Sequence, residues 1–268
     1  MRLRLDVALL AGMGLLLQGC DGILDGAWNQ VQEDFHYSYP LAAGGKLEVE
    51  NQNGAVEISG WDQNTVDISG SKYASTMDRL KDLRVDVAPS PNAITIRTFR
   101  ADPHWGNGGV RYTIRVPRKT ELARIATSNG AINIDGIDGA AHLRSSNGAI
   151  RGTGITGDLE AETSNGRIEV TDLRAPATVH TSNGAVELSF SAANEVHATT
   201  SNGAITIRLP SGAGGSIHAR TSNGSIQSDF DVSVHGEISK RRLDGTFGSG
   251  GPALELSTSN GGIRVLKR

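Results

Sequence analysis

Between residues 121 and 228, apolar and polar positions alternate in short runs that the triplet Ser-Asn-Gly interrupts at near-regular intervals. Ahead of Gly166, Leu159, Ala161 and Thr163 are small or apolar, while Glu160 and Glu162 between them are polar. Beyond it, Ile168 and Val170 flank polar Glu169, and Leu173 closes the unit. A period of two marks half-buried strands, so each unit supplies two short strands around an Asn-Gly corner. The corners are Asn129-Gly130, Asn147-Gly148, Asn165-Gly166, Asn183-Gly184, Asn202-Gly203, Asn223-Gly224 and Asn260-Gly261, with glycine spacings of 18, 18, 18, 19, 21 and 37. Three residues before each glycine stands Thr127, Ser145, Thr163, Thr181, Thr200, Thr221 or Thr258. Two after it stands Ile132, Ile150, Ile168, Val186, Ile205, Ile226 or Ile263. This is an internal repeat.

The corner Asn and Gly residues read as structural turn residues, because both accept positive φ at little steric cost. Asn-Gly between alternating strands also signals antiparallel hairpins, and a meander would keep the inward positions inward. The uniform columns favour coils that stack like on like about 4.8 Å apart, which a meander does not provide. The expected fold is all-β: a single-stranded β-solenoid, or β-helix, of about 18-residue coils turned at the Ser-Asn-Gly corners. Handedness stays open, although Ile150, Thr156 and Glu162 do not supply the apolar sixth position of a left-handed hexapeptide coil. Seven coils give a rod about 35 Å long whose ends need caps.

Towards the N-terminus the repeat continues in degenerate form, with a turn at Asn53-Gly54 and alternation through Val56, Ile58, Val66 and Ile68. Met77 to Leu83 predicts a short helix. Arg84 to Val87, Ile94 to Thr98 and Val110 to Val116 predict longer strands, broken by Pro89, Pro91 and Pro103. The solenoid domain is expected over 40–268, with wider N-terminal coils and a cap at 40–120, regular coils at 121–228, and an insertion plus C-terminal coil at 229–268.

Arg2 and Arg4 precede an apolar stretch from Val7 to Leu17 that is too short to span a bilayer. It ends in Leu17-Gln18-Gly19-Cys20, which looks like a bacterial lipobox. The expectation is a signal peptide at 1–19, lipidation of Cys20, and a linker at 20–39. Attachment by two or three acyl chains would place the protein stably on a membrane of the cell envelope, on its periplasmic side or at the cell surface. Cys20 is the only cysteine, so no intramolecular disulfide can form and stability must come from burial and hydrogen bonding.

Composition agrees with many tight turns, since 34 residues are Gly and only 4% are aromatic. The net charge of −3, with Lys and Arg spread along the chain, leaves no electrostatic footprint for nucleic acid. No cofactor motif is present. His142, His197 and His218 share the column six before the glycine, but Glu160 and Thr178 separate His142 from the others. The two remaining neighbours fall short of the three or four ligands zinc needs, so the column reads as a solvated face and no metal is expected. Asp135-Gly136-Ile137-Asp138-Gly139 lacks the calcium-binding nonapeptide and reads as a turn.

Glu160 and Glu162 lie on one strand and point the same way, the one arrangement that would suit a paired-carboxylate glycosidase; nothing in the sequence marks them as buried. Shared columns predict cross-coil pairs Arg144–Glu162 and Arg151–Glu169, and set Glu169 beside Glu187 as like charges. The serine column (Ser128, Ser146, Ser164, Ser182, Ser201, Ser222, Ser259) is expected to bond to the asparagines and turn backbones. Lys240-Arg241-Arg242 reads as a solvated loop.

Asn53-Gly54-Ala55-Val56-Glu57-Ile58 with Gly60-Trp61-Asp62, then Val110-Arg111-Tyr112-Thr113-Ile114-Arg115-Val116-Pro117, the Ser-Asn-Gly copies, and Phe247-Gly248-Ser249-Gly250-Gly251 together resemble a bacterial family of β-strand-repeat envelope proteins catalogued as "putative adhesins". The resemblance covers about residues 40 to 268 and implies a single-domain β-solenoid at the cell envelope, with no catalytic residues to carry over. The expected function is a non-catalytic, adhesin-like binding or scaffolding module whose partner is a glycan or an envelope protein. The alternatives are a regulatory partner of an envelope-stress sensing system, which the resemblance suggests, and a polysaccharide-active enzyme. Because regular columns give Ser, Asn and Thr structural work, function is expected where the repeat breaks, at the N-terminal cap or between Asp229 and Pro252.

Overall fold

The computed structural model describes residues 30–100, 108–234 and 239–268; Cys20 and the stretch expected to be a signal peptide lie outside the described residues. The two-residue period yields strands throughout. The N-terminal part comprises β1 (Val31–Pro40), β2 (Lys46–Glu50), β3 (Val56–Trp61), β4 (Thr65–Ala74), helix α1 (Met77–Lys81), β5 (Leu83–Pro89), β6 (Ala93–Arg100) and β7 (Gly109–Pro117). Regular pairs follow: β8 (Glu121–Thr127) and β9 (Ile132–Asp135), β10 (Ala141–Ser145) and β11 (Ile150–Thr153), β12 (Leu159–Thr163) and β13 (Ile168–Leu173), β14 (Ala177–Thr181) and β15 (Val186–Phe190), β16 (Val196–Asn202) and β17 (Ile205–Leu209), β18 (Gly215–Asn223) and β19 (Ile226–Ser228). The antiparallel pair β20 (Val232–Val234) and β21 (Arg242–Phe247) precedes the last coil, β22 (Ala253–Asn260) and β23 (Ile263–Lys267).

The fold is all-β and solenoid-like, but the single-stranded solenoid expected from the repeat needs correction. Each coil gives one strand to each of two mixed sheets, one of 11 strands and one of 12. The reason lies in the two apolar faces of every unit. The strand before the corner buries Leu159 and Ala161, the strand after it buries Ile168 and Val170, and the two strands face each other across one core. Between regular coils the pairing is parallel and in register at the repeat spacing, as in Ile150↔Ile168 and Leu159↔Ala177. Antiparallel strands occur at the ends, where β1 and β4 extend one sheet beyond β7, β5 lies on β6, and β20 and β21 lie beyond β18.

Stacking order departs from chain order at both ends. Along the rod the pairs run β6/β7, β2/β3, β8/β9, β10/β11, β12/β13, β14/β15, β16/β17, β22/β23, β18/β19. These nine pairs among the described residues correspond to a rod about 40 Å long.

The segment 20–39, read as a linker, is in part a strand. β1 pairs antiparallel with β4 over ten residues, from Val31↔Ala74 to Pro40↔Thr65, and the Phe35 ring meets Tyr112 edge-on at 5.8 Å. The short helix forms as expected, with the Thr76 hydroxyl accepting from the Arg79 N–H as N-cap and Leu80 buried beneath it.

Turn chemistry is also corrected. None of the corner glycines from Gly130 to Gly261 has positive φ; the left-handed residues of the regular coils are Gly136, Gly154 and Asp172, at the second corner. Asp172, at φ 52°, sits where the register between β13 and β15 shifts, so that Leu173 meets Phe190. It is the extra residue of a bulge between β13 and β15, at the position Gly136 and Gly154 occupy in the preceding coils.

Candidate functional site

At the Ser-Asn-Gly corner three side-chain columns do three structural jobs. The glycine is required by close approach: a Cβ on Gly148 would fall 1.7 Å from Gly130 O, and one on Gly166 2.0 Å from Gly148 O. The hydroxyl three residues earlier is buried and donates to the glycine carbonyl of the adjacent coil, Thr163 Oγ1 to Gly148 O at 3.0 Å and Thr181 Oγ1 to Gly166 O at 2.9 Å. Asparagines form a continuous amide ladder in which Asn147 Nδ2 donates to Asn129 Oδ1, Asn165 to Asn147 and Asn183 to Asn165, at 2.8 to 2.9 Å. The ladder runs on through Asn202, Asn260 and Asn223, and begins at Asn53. Losing one buried donor leaves a carbonyl unpaired, so Thr163→Val is expected to cost about 1–2 kcal/mol, measured by urea unfolding, with Thr163→Ser close to wild type because Ser145 makes the same bond natively.

Asn51, which the repeat pattern did not single out, replaces the threonine of this column in the degenerate coil. Its Nδ2 donates to Val110 O at 2.8 Å and Gly54 O at 3.1 Å, while its Oδ1 accepts from Thr98 Oγ1, which also bonds the Tyr112 hydroxyl. Burial pushes the Tyr112 phenol far above its ordinary value, against the opposing hydrogen bond with Thr98, so it stays protonated.

The serine column differs from its expectation. Among the described residues none of the seven serine hydroxyls makes a hydrogen bond within the protein, and all but half-buried Ser182 are exposed. The asparagines are satisfied by one another instead.

On the outer face of the 12-stranded sheet, polar side chains pair among themselves. A groove of about 270 Å³ is lined by Arg124, His142, Arg144, Glu160 and Glu162. There His142 Nδ1 lies 3.0 Å from Glu160, Arg144 3.3 Å from Glu162 and Arg124 3.2 Å from Glu50. Glu160 thus meets a histidine and Glu162 an arginine, both at the exposed surface. His197 and His218 are not neighbours, as their sequence positions suggest, because Glu255 on β22 stands between them. His197 meets Glu255 at 3.0 Å, and His218 meets Asp244 at 3.1 Å. The Asp244 carboxyl is held below the usual carboxylate range by the Arg242 guanidinium, aided by His218 and opposed by desolvation. Its contribution to stability is therefore present at neutral pH and is lost as pH falls through the depressed value. Lys240 and Arg241 are exposed, while Arg242 opens β21.

The outer face of the 11-stranded sheet is arranged differently. A groove of about 370 Å³ crosses β7, β3, β9 and β11, where the N-terminal coils meet the first regular ones. Glu57, Ser59, Asn133, Asp135 and Arg151 line it, and among the described residues none of these side chains bonds to another protein group. The expected Arg151–Glu169 pair does not form, which leaves the guanidinium to the groove. Glu187, expected to repel Glu169, is instead held by Arg167 and Arg208, each at 3.7 Å. At the Asp135–Gly139 turn, Gly136 is left-handed and Asp138 accepts from Thr156 Oγ1 at 3.0 Å.

A protein-family model described as Toastrack DUF4097 matches residues 40–266. No curated protein matches significantly. Among solved structures, a "putative cell adhesion protein" from Clostridium sporogenes is 14% identical, with 88% of this chain and 100% of that one covered and a TM-score of 0.34. A "putative adhesin" from Bacteroides fragilis is also 14% identical, over 88% and 97% of the two chains, with a TM-score of 0.39. One from Parabacteroides distasonis is 10% identical over 88% and 97%, with a TM-score of 0.33.

Proposed function

The chain belongs to the Toastrack DUF4097 family, and from that premise we propose that it is a non-catalytic binding or scaffolding module of the cell envelope, tethered to a membrane by lipid on Cys20. The observation that carries this reading is the groove on the 11-stranded sheet. Its carboxylates, amide, hydroxyls and guanidinium offer donors and acceptors together. Glu57, Ser59, Asn133, Asp135 and Arg151 need not be released from a protein partner before a ligand binds, whereas on the other sheet Glu50, Glu160, Glu162 and Glu255 already meet Arg or His side chains. A mixed set of this kind suits a hydroxyl-rich glycan, and it sits on paired strands whose backbone is fixed on both sides.

The Cys20→Ser chain is expected to leave the membrane fraction for the soluble one on cell fractionation; its persistence on membranes would contradict the anchor. The soluble chain thus obtained is expected to bind members of an array of glycans and peptidoglycan fragments. The triple change Glu57→Ala, Asn133→Ala, Arg151→Ala should weaken that binding by about a hundredfold, as the loss of roughly 3 kcal/mol of polar contacts requires, with the melting temperature unchanged. An array without signal, or binding indifferent to the triple change, would remove the groove as the site.

A further inference from the structure

The coil that comes last in the chain is not last in space. β22 lies between β16 and β18 and pairs parallel with both, and β23 lies in the same way between β17 and β19. Every column of the repeat runs through the inserted coil. Asn260 Nδ2 donates to Asn202 Oδ1, and Asn223 Nδ2 donates to Asn260 Oδ1, both at 2.8 Å. In the core, Leu256 is layered between Ala198 and Ala219 in register, a large side chain between two small ones. The coils on either side therefore form a slot whose backbone edges and side-chain columns accept one particular strand pair.

That strand pair is tied to the rest of the molecule by a short crossing. β21 lies on the far side of β18 from β22, so residues 248–252 must pass over the start of β18. They do so with Gly248, Gly250 and Gly251 at φ 58°, 74° and 135°. The turn beneath is equally tight: a Cβ on Gly248 would fall 2.7 Å from Ala213 O, and one on Gly214 2.6 Å from Gly250 O. The crossing is a hinge held in conformations that glycine adopts readily and other L-residues avoid. Straightened, it would carry β22 and β23 away from their own slot with every contact of the coil still available in another molecule.

We propose that β22–β23 is an exchangeable coil and that its slot is an interface for a second copy of this chain, the two copies filling each other's slots in a swapped dimer. The occupant is set by the columns: Leu254, Leu256, Thr258, Asn260 and Ile263 match both flanking coils, and a second copy carries the same residues at the same spacing. Closed monomer and swapped dimer share these contacts and differ in the hinge, so hinge geometry and concentration govern the balance.

The test uses the full chain carrying Cys20→Ser. His197→Cys and Glu255→Cys, which face each other across β16 and β22, are placed on separate molecules, mixed at high concentration and oxidised. The control mixes His142→Cys with Glu160→Cys, which face each other across β10 and β12, where stacking follows chain order. Exchange predicts a disulfide-linked heterodimer in about tenfold excess over the control. It also predicts that Gly248→Ala with Gly250→Ala raises the dimer fraction seen by light scattering during size exclusion. Equal crosslinking in the two mixtures overturns the proposal; if the hinge variant does not fold, the crosslinking comparison decides alone.

Discussion

Gly166→Ala is expected to destabilise the protein by about 3 kcal/mol or more, enough to move the chemical-denaturation midpoint well below that of the wild type. The new methyl carbon would lie 2.0 Å from the carbonyl oxygen of Gly148 and 2.9 Å from the Thr163 hydroxyl, and the first of these is backbone, unable to swing away. Relief requires the coils to part locally, which would stretch the Thr163 to Gly148 bond and the Asn165 to Asn147 rung together. Gly154→Ala is the informative companion. Gly154 has φ 65°, but its nearest neighbours to an added Cβ are 3.7 Å away, so alanine there meets only the left-handed backbone penalty of about 1–2 kcal/mol. The ranking, with the ordinary-φ glycine the more sensitive, separates close approach from turn conformation as the reason the triplet ends in glycine.

Truncating Phe190 to alanine should cost about 3–5 kcal/mol. Phe190 is fully buried and stands against Leu173 where the register shifts, so it fills the corner that smaller residues close in the preceding coils. The surrounding parallel strands are hydrogen-bonded on both sides and have little freedom to collapse into the cavity. In a stacked rod each coil contacts its neighbours, so hydrogen exchange should rise first in β13, β15 and β17, with β8 to β11 close to wild type. Uniform loss of protection along the rod would show instead that all the coils unfold as one cooperative unit.

Much of the fold was legible because one repeat unit contains its own inward and outward faces. The alternation through Leu159, Ala161, Thr163, Ile168 and Val170 gives both strands, and the threonine and isoleucine columns give their register. The stacking order was not legible, for a reason that lies in the same regularity. Because the coils present the same Thr, Asn, Gly and Ile edges, the repeat columns alone do not say whether the 253–267 coil stands between its two predecessors or after them. That insertion brings Glu255 between His197 and His218, so the histidine column could not be judged from sequence spacing. β1 was obscured because Glu33 interrupts the alternation of Val31, Phe35 and Tyr39, which shows only once β4 is available as a partner. The groove was hidden for a related reason. Arg151 and Glu169 occupy one column, but sharing a column does not bring their side chains together, and the absence of that pair leaves Arg151 available. Function was expected at the N-terminal cap or the 229–252 insertion; the groove takes β3 and β7 from the N-terminal coils and β9 and β11 from the regular ones.

In the function proposed above, the Ser-Asn-Gly corners build the rod while the outer face of the 11-stranded sheet binds the ligand. That division of roles is tested most directly by titrating the tightest array ligand, by calorimetry, against two variants of the soluble Cys20→Ser chain. One carries Ser146→Ala, Ser164→Ala and Ser182→Ala; the other carries Glu57→Ala, Asn133→Ala and Arg151→Ala. Wild-type affinity is expected for the serine variant and a loss of about a hundredfold for the groove variant, both with unchanged melting temperature. Loss of binding in the serine variant with full affinity in the groove variant would contradict that division and return recognition to the corners.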